Sequence, residues 1–464
     1  MSEHDPTSPS DKPSTPNGDD PRPDGNGRNG FHPIDAARER LGDFSLGVDA
    51  VGRIFRTPTG KISWRRNLYA IWIAQLLAIM GFSMRTPFLP MFFGEIGVDT
   101  TEGQALWTGI ILSVGAGMMA LASPFWGAMA DRKGRKPMLL RSQYGAFVTI
   151  GLTVFVTAPW QMLGLRMIEG VLAGTVTAAT ALVASTIPRE RLGYGLGLVQ
   201  TAVFSGSALG PLIGGLLADT FGYRQTFGIA SLMVLTAGFI TLFVVQERFT
   251  PAESAKTPEE KEASSWRVIL GPALLALALS MLLIRFASSA VQPITPLFVE
   301  ELAHTTGSTS TLAGLTLGIL GVTSAISSVV LGRVGDRKGH YIVLLLCSLG
   351  SATVYFPMAL SQHPWQLIVL QAIFGVFAGG MMPSANALIA NISDERFRGT
   401  VFGLTNTFAS VGGFLGPLAG STLAAAFGLR TTFVATGLVL IIMAAGLWLA
   451  NQRRPMEPGK PEPA

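Results

Sequence analysis

"WGAMADRKGRKP", Trp126 to Pro137, sets Asp131, Arg132, Lys133, Arg135 and Lys136 between two long apolar stretches, and "LGRVGDRKGH", Leu331 to His340, nearly repeats it. Asp131 and Asp336 are 205 positions apart. The same shift lays "WQMLGLRMIEGVLAG", from Trp160, over "WQLIVLQAIFGVFAG", from Trp365. A shift of 206 lays "GYRQTF", from Gly222, over "GLRTTF", from Gly428, and Pro87 and Pro90 over Pro293 and Pro296. One unit is therefore written twice, basic loop included.

Composition says what kind of unit it is. Of 464 residues, 14% are charged and 48% hydrophobic, and the mean hydropathy is +0.43; an ordinary soluble domain is roughly 25% charged. Apolar runs of about 20 residues recur almost end to end, each long enough to cross a ~30 Å hydrocarbon layer as a helix. They fall near 67–93, 105–127, 138–158, 161–187, 194–219 and 223–245, then near 268–299, 310–333, 341–361, 364–391, 400–426 and 430–451. The expected fold is an all-α integral membrane protein with twelve transmembrane helices in two pseudo-symmetric six-helix bundles. The expected parts are a disordered N-terminal tail at 1–63, an N-terminal bundle at 64–246, a charged linker at 247–266, a C-terminal bundle at 267–452 and a tail at 453–464. Within the first tail, residues 34–56 read either as a helix lying on the inner leaflet or as a featureless linker.

Short cytoplasmic loops carry the excess of Lys and Arg. Arg65 and Arg66, the loop at Arg132 to Lys136, Arg189 and Arg191, the loop at Arg333 to Lys338, Arg396 and Arg398, and Arg453 and Arg454 all fall on one side. The opposite loops hold Glu95, Asp99, Glu102, Glu300 and Glu301. Both termini are then expected in the cytoplasm of a multi-pass inner-membrane protein. A net charge of +5 spread over short loops does not make the single basic face of a nucleic-acid binder. No h-region of a cleaved signal is seen. Cys347, the single cysteine, lies within a span, so disulfides and thiolate metal clusters are not expected. No phosphate loop or metal-ligating cluster points to an enzyme or to a cofactor. Two six-span repeats related by an axis along the membrane normal, with a path between them, make a transporter architecture that rocks one half against the other.

The chain from about 64 to 452 resembles the major facilitator superfamily. "GAMADRKGRKPML", from Gly127, resembles its signature loop between the second and third helices. The resemblance implies a conformational latch on the cytoplasmic side, carried by Gly127, Asp131, Arg132, Gly134 and Arg135 and, in the second half, by Gly332, Asp336, Arg337 and Gly339. Gly127 would allow close helix approach, Gly134 a turn with positive φ, and Asp131 would accept from Arg135 or cap a neighbouring helix. "GSALGPLIGG", with Gly206, Gly210, Pro211, Gly214 and Gly215, is similar to the antiporter motif of drug:proton exporters; taken alone it is also a helix-packing surface. "GFSMRTPFLP", Gly81 to Pro90, looks like the pattern of the twelve-helix exporter branch, and the N-terminal run is similar to a bacterial multidrug-resistance exporter.

Ionisable residues at membrane depth cost roughly 2.5–3.5 kcal/mol on insertion scales, so each is a functional candidate. There are few: Arg85 on the first span, Arg166 and Glu169 on the fourth, Arg285 on the seventh. Arg166 and Glu169 are three apart and share a helix face. "LRMIEG" resembles the family's fourth-helix arginine motif, with Glu169 where Gln is usual. Two readings stand: Glu169 exchanges a proton while Arg166 favours its charged form, or the two are a permanent ion pair. Three arginines against one glutamate would favour anionic or zwitterionic amphiphiles in a central cavity; alternatively Arg85 and Arg285 reach toward the lipid interface. Asn386, Asn406 and Gln371 are candidate cavity residues, with helix joining as their other role. The expected function is a proton-driven antiporter, acting as a monomer, that exports small amphiphilic or drug-like compounds by alternating access. Proton-coupled uptake of an organic anion or sugar, and lipid or lysolipid flipping, are the alternatives.

Overall fold

The computed structural model describes residues 63–188, 191–247, 271–303, 308–393 and 398–453. Most of the expected N-terminal tail and linker, residues 34–56 and nearly all of the C-terminal tail lie outside them. Helix is the repeating element throughout the described residues, as expected where no water is present to satisfy the backbone and every N–H must bond within its own segment.

The first half comprises α1 (Trp64–Met84), α2 (Leu89–Glu95), α3 (Thr101–Lys133), α4 (Arg135–Thr153), α5 (Pro159–Leu172), α6 (Thr175–Thr186), α7 (Leu192–Phe221) and α8 (Tyr223–Phe243). The second comprises α9 (Pro272–Val291), α10 (Ile294–Ala303), α11 (Thr309–Lys338), α12 (His340–Ala359), α13 (Pro364–Ile392), α14 (Arg398–Phe427) and α15 (Leu429–Arg453). Three of the twelve spans are interrupted where the sequence suggested continuous runs. The first breaks before Leu89 and the seventh before Ile294, at the matched Pro87 and Pro293. Proline has no N–H to continue the ladder; Gln292, just before Pro293, keeps α-region angles (φ −56°, ψ −47°), so the missing donor is what the two breaks share. The fourth breaks at Ala173–Gly174, where Gly174 has φ +125°.

Among the described residues, eleven spans are long and apolar enough on their own to cross a membrane. The remaining one, α4, carries Arg141, Ser142 and Gln143 in its middle. Ser142 and Gln143 are buried, so their polarity is turned into the bundle rather than toward lipid. The two basic loops are single-residue reversals: Gly134 (φ +95°) joins α3 to α4 and Gly339 (φ +100°) joins α11 to α12, a conformation that costs a residue without a Cβ nothing.

The duplication reaches into the packing. Gly206, Gly210 and Gly214 of α7 lie against the backbone of α1 at Leu76, Met80 and Met84. Gly412, Gly416 and Gly420 of α14 lie against α9 at Leu282, Phe286 and Ala290, every partner shifted by the same 206 positions. The adjoining face of each helix meets the other half. Gly215 faces Ser310, Gly314 faces the Pro211 carbonyl, and Gly109 faces Ser421 and the Pro417 carbonyl. These seams lie toward the end of the bundle opposite the basic loops. At the basic end, a side chain added at Gly127, Gly193, Gly197, Gly332 or Gly403 would meet nothing within 4 Å. Among the described residues, the glycine contacts between the halves thus lie away from the basic end.

This distinction is testable. Gly214→Ala crowds one half against itself and should cost about 1–3 kcal/mol, lowering the melting temperature. Gly314→Ala crowds half against half. It should leave the melting temperature near wild type but raise maleimide reactivity of Ala208→Cys, in the seam, in a Cys347→Ser background. Equal loss of thermal stability in both variants would contradict two separately packed halves.

Candidate functional site

Arg85 stands at the last turn of α1, where the first span breaks. Its guanidinium grips Glu169 of α5 with both ends: Nη1 donates to Oε2 at 2.8 Å and Nη2 to Oε1 at 2.5 Å. Arg166, one turn before Glu169, donates from Nη1 to the same Oε1 at 2.6 Å. The side chains are 6%, 11% and 15% exposed for Arg85, Glu169 and Arg166. The pair read from the sequence is thus a triad with a net charge of +1, and Arg166 Nε has no partner among the described residues. Arg85 points into the protein, not toward lipid.

Beside the triad lies a cavity of about 290 Å³ whose walls include Ser83, Arg85, Thr108, Arg166, Ser207 and Gln292. Gln292 comes from the second half, so the cavity lies between the halves. Of the other polar candidates, Gln371 is buried, its Oε1 without a partner among the described residues, Asn386 is half-buried and Asn406 exposed; none of these lines this cavity. Arg285 lines a separate cleft of about 130 Å³. The single cavity expected from the charge count is therefore two places. Ser83, Thr108 and Ser207 escaped the sequence reading because hydroxyls in apolar helices usually bond their own backbone.

The basic loop departs from expectation. Asp131 is exposed and has neither a hydrogen-bond nor an ion-pair partner among the described residues. Glu247 caps α4 instead, accepting from the backbone N–H of Arg135 at 2.9 Å and of Lys136 at 2.8 Å. The reason is placement: Glu247 follows α8, which packs along α4, and its carboxylate reaches the free N–H groups that favour an anion there. Asp336 pairs with His340 at 3.2 Å. Among the described residues, a side chain added at Gly127 or Gly332 would meet nothing within 4 Å, so the close helix approach expected at Gly127 is not seen. Trp126 and Arg141 hold the break between α5 and α6: Trp126 Nε1 donates to the Val171 carbonyl at 2.7 Å and Arg141 Nη2 to that of Ala173 at 2.9 Å, the guanidinium lying 3.7 Å from the Trp126 ring centroid.

At the opposite end, Asp219 near the end of α7 accepts from the backbone N–H of Ser310 at 3.1 Å and of Thr311 at 2.7 Å. A carboxylate of one half thus caps a helix of the other. The sequence signal was available, an acid closing "GPLIGGLLAD" among apolar residues, but its partner lies 91 positions on.

The sequence matches the family described as Major Facilitator Superfamily over residues 71–303 and 282–464. The multidrug resistance protein MdtG of Dickeya zeae (strain Ech586) is 37% identical over 401 residues, spanning 85% of this chain and 97% of that one. MdtG of Serratia proteamaculans (strain 568) is 36% identical over 395 residues, spanning 85% and 96%. Among solved structures, a bacterial homolog of the human lysosomal transporter Spinster, inward-facing and unoccupied, superposes with a TM-score of 0.69 at 16% identity, covering 85% of this chain and 98% of that one. The human organic anion transporter MFSD10 (TETRAN) gives 0.62 at 17%, covering 83% and 100%. The chain belongs to the major facilitator superfamily.

Proposed function

We propose that this chain is a secondary transporter of a bacterial inner membrane that exports small amphiphilic compounds, driven by inward flow of protons. The basic end lies in the cytoplasm by the placement of Lys and Arg. The observation that carries the reading is one carboxylate shared by two arginines beside a cavity between the halves. A proton bound at Glu169 removes the only negative charge of the triad, and the two guanidiniums, left facing each other, then favour any movement that separates them or brings in an anion. Arg85 sits at the break of the first span and Glu169 just before that of the fourth, so a change in their pairing acts where both helices bend most easily. The multidrug names of the relatives support outward transport of drug-like compounds.

With the external end closed by Asp219 and the glycine seams, the cavity is open to loading from the cytoplasm. Closing that mouth brings the basic loops together, and Asp131, unpartnered in the present state, then gains a helix N-terminus or a cation to meet. Asp131→Asn should therefore reduce transport severalfold with normal expression and melting temperature; unaltered flux would remove the latch. The reading as a whole is tested with purified protein in liposomes under an imposed pH gradient and a panel of anionic, neutral and cationic amphiphiles. Accumulation that follows the proton gradient in the export direction is expected. Flux that ignores the gradient, or runs with the protons, would overturn it.

A further inference from the structure

We propose that Arg285 binds the anionic headgroup of a transported amphiphile, whose apolar part packs against Phe374, Met381 and Met382. This rests on the transporter reading and gives it a substrate class. Arg285 lies thirteen residues into α9, about 20 Å from its start, farther than an arginine side chain reaches back to an interface. Such a charge has to meet either water or an anion.

Its direction is set by its neighbours. Arg285, Ser288 and Gln292 are all exposed and recur at a spacing that keeps them on one face of α9. On one side of that stripe Met281, Ile284 and Ala287 are buried in the core. On the other, Leu282, Phe286 and Ala290 lie against the glycines of α14. At its upper end Gln292 enters the cavity of Arg85 and Arg166. The stripe thus runs along the space between the halves, and Arg285 stands on it some 10 Å nearer the cytoplasmic mouth.

No charge balances it. Among the described residues the Arg285 guanidinium has neither an ion-pair nor a hydrogen-bond partner, and the Ser288 hydroxyl already donates to the Arg285 carbonyl at 3.1 Å. At the position matching Glu169, 205 residues on, the second half carries Phe374, which lines the same cleft. The first half therefore holds its cations with an internal acid, and the second leaves its cation free beside an apolar wall. A planar guanidinium binds a carboxylate, sulfonate or phosphonate through two parallel hydrogen bonds, and flexible methionines accommodate varied apolar shapes.

The test is titration calorimetry of the full chain in dodecyl maltoside with decanoate, decanol and decyltrimethylammonium, below their micelle-forming concentrations. Decanoate should bind tightest. Arg285→Gln should weaken decanoate at least tenfold and leave decanol unchanged, and Arg285→Lys should recover part of the loss. Phe374→Glu, which keeps the arginine but supplies an internal acid, should abolish the preference for decanoate. Undiminished decanoate binding in Arg285→Gln, or equal loss of decanol, would overturn the proposal. These measurements use no pH gradient, so Arg285-dependent binding without proton-driven flux would sink the export mechanism and leave this site standing.

Discussion

Glu169→Gln should reduce proton-driven accumulation to the level of protein-free liposomes, while downhill exchange, if the protein folds, becomes insensitive to pH. Gln keeps the shape of the side chain but neither titrates nor offers two charged oxygens to Arg85 and Arg166. The triad changes from +1 to +2. Removing one partner of a buried ion pair costs about 3–5 kcal/mol, so thermal stability should fall as well, and loss of transport in the single variant does not by itself separate a proton site from a permanent ion pair. The double variant Glu169→Gln with Arg85→Gln does. It leaves Arg166 alone and restores a local charge of +1, so melting temperature and expression should return toward wild type whichever role Glu169 plays. If Glu169 carries the proton, uphill transport stays lost in the rescued protein. Recovery of uphill transport along with stability would show that the acid only balances charge.

How much of this arrangement a reader of the sequence can reach depends on how local each contact is. Arg166 and Glu169 are one helical turn apart, so their pairing follows from spacing alone. Arg85 lies 84 positions from Glu169, and the first span is apolar nearly all round, so no periodic face fixes its rotation. The same ambiguity left Arg285 with two directions until the packing of Met281 and Ile284 on one side and Phe286 on the other chose between them. The duplication, by contrast, was plain in the sequence, and it extends to backbone contacts: Gly214 against Met84 and Gly420 against Ala290 repeat one packing solution. Pro87 and Pro293 were visible as matched residues, but that both interrupt their helices depends on neighbouring spans to satisfy the freed backbone groups. Asp131 meets neither of the partners that the sequence offered it among the described residues. Glu247, 112 positions from Arg135, holds the start of α4 instead, a contact that no local spacing reveals.

Asp219→Ala should move the conformational balance toward the state open to the outside, by about tenfold. In the present state both oxygens of Asp219 cap the start of α11 across the seam between the halves. A side-chain cap contributes about 0.5–2 kcal/mol, and an anion at a helix N-terminus about 0.3–1 kcal/mol more at an exposed site. When the external end opens, Asp219 and the N–H groups of Ser310 and Thr311 separate and are met by water, so the substitution costs the closed state far more than the open one. A differential of 1.4 kcal/mol is tenfold in a ratio of populations. Spin labels at Thr101→Cys, at the start of α3, and Phe427→Cys, at the end of α14, in a Cys347→Ser background, report the separation of the external ends. The longer distance should grow in Asp219→Ala and grow less in Asp219→Asn, which keeps one acceptor. Apparent affinity for a cytoplasmic substrate should fall by the same factor, because fewer molecules present the loading state. An unchanged distance distribution would mean that the glycine seams at Gly215, Gly314 and Gly109 hold the external end shut unaided. The cross-half cap would then be a consequence of closure and not one of its causes.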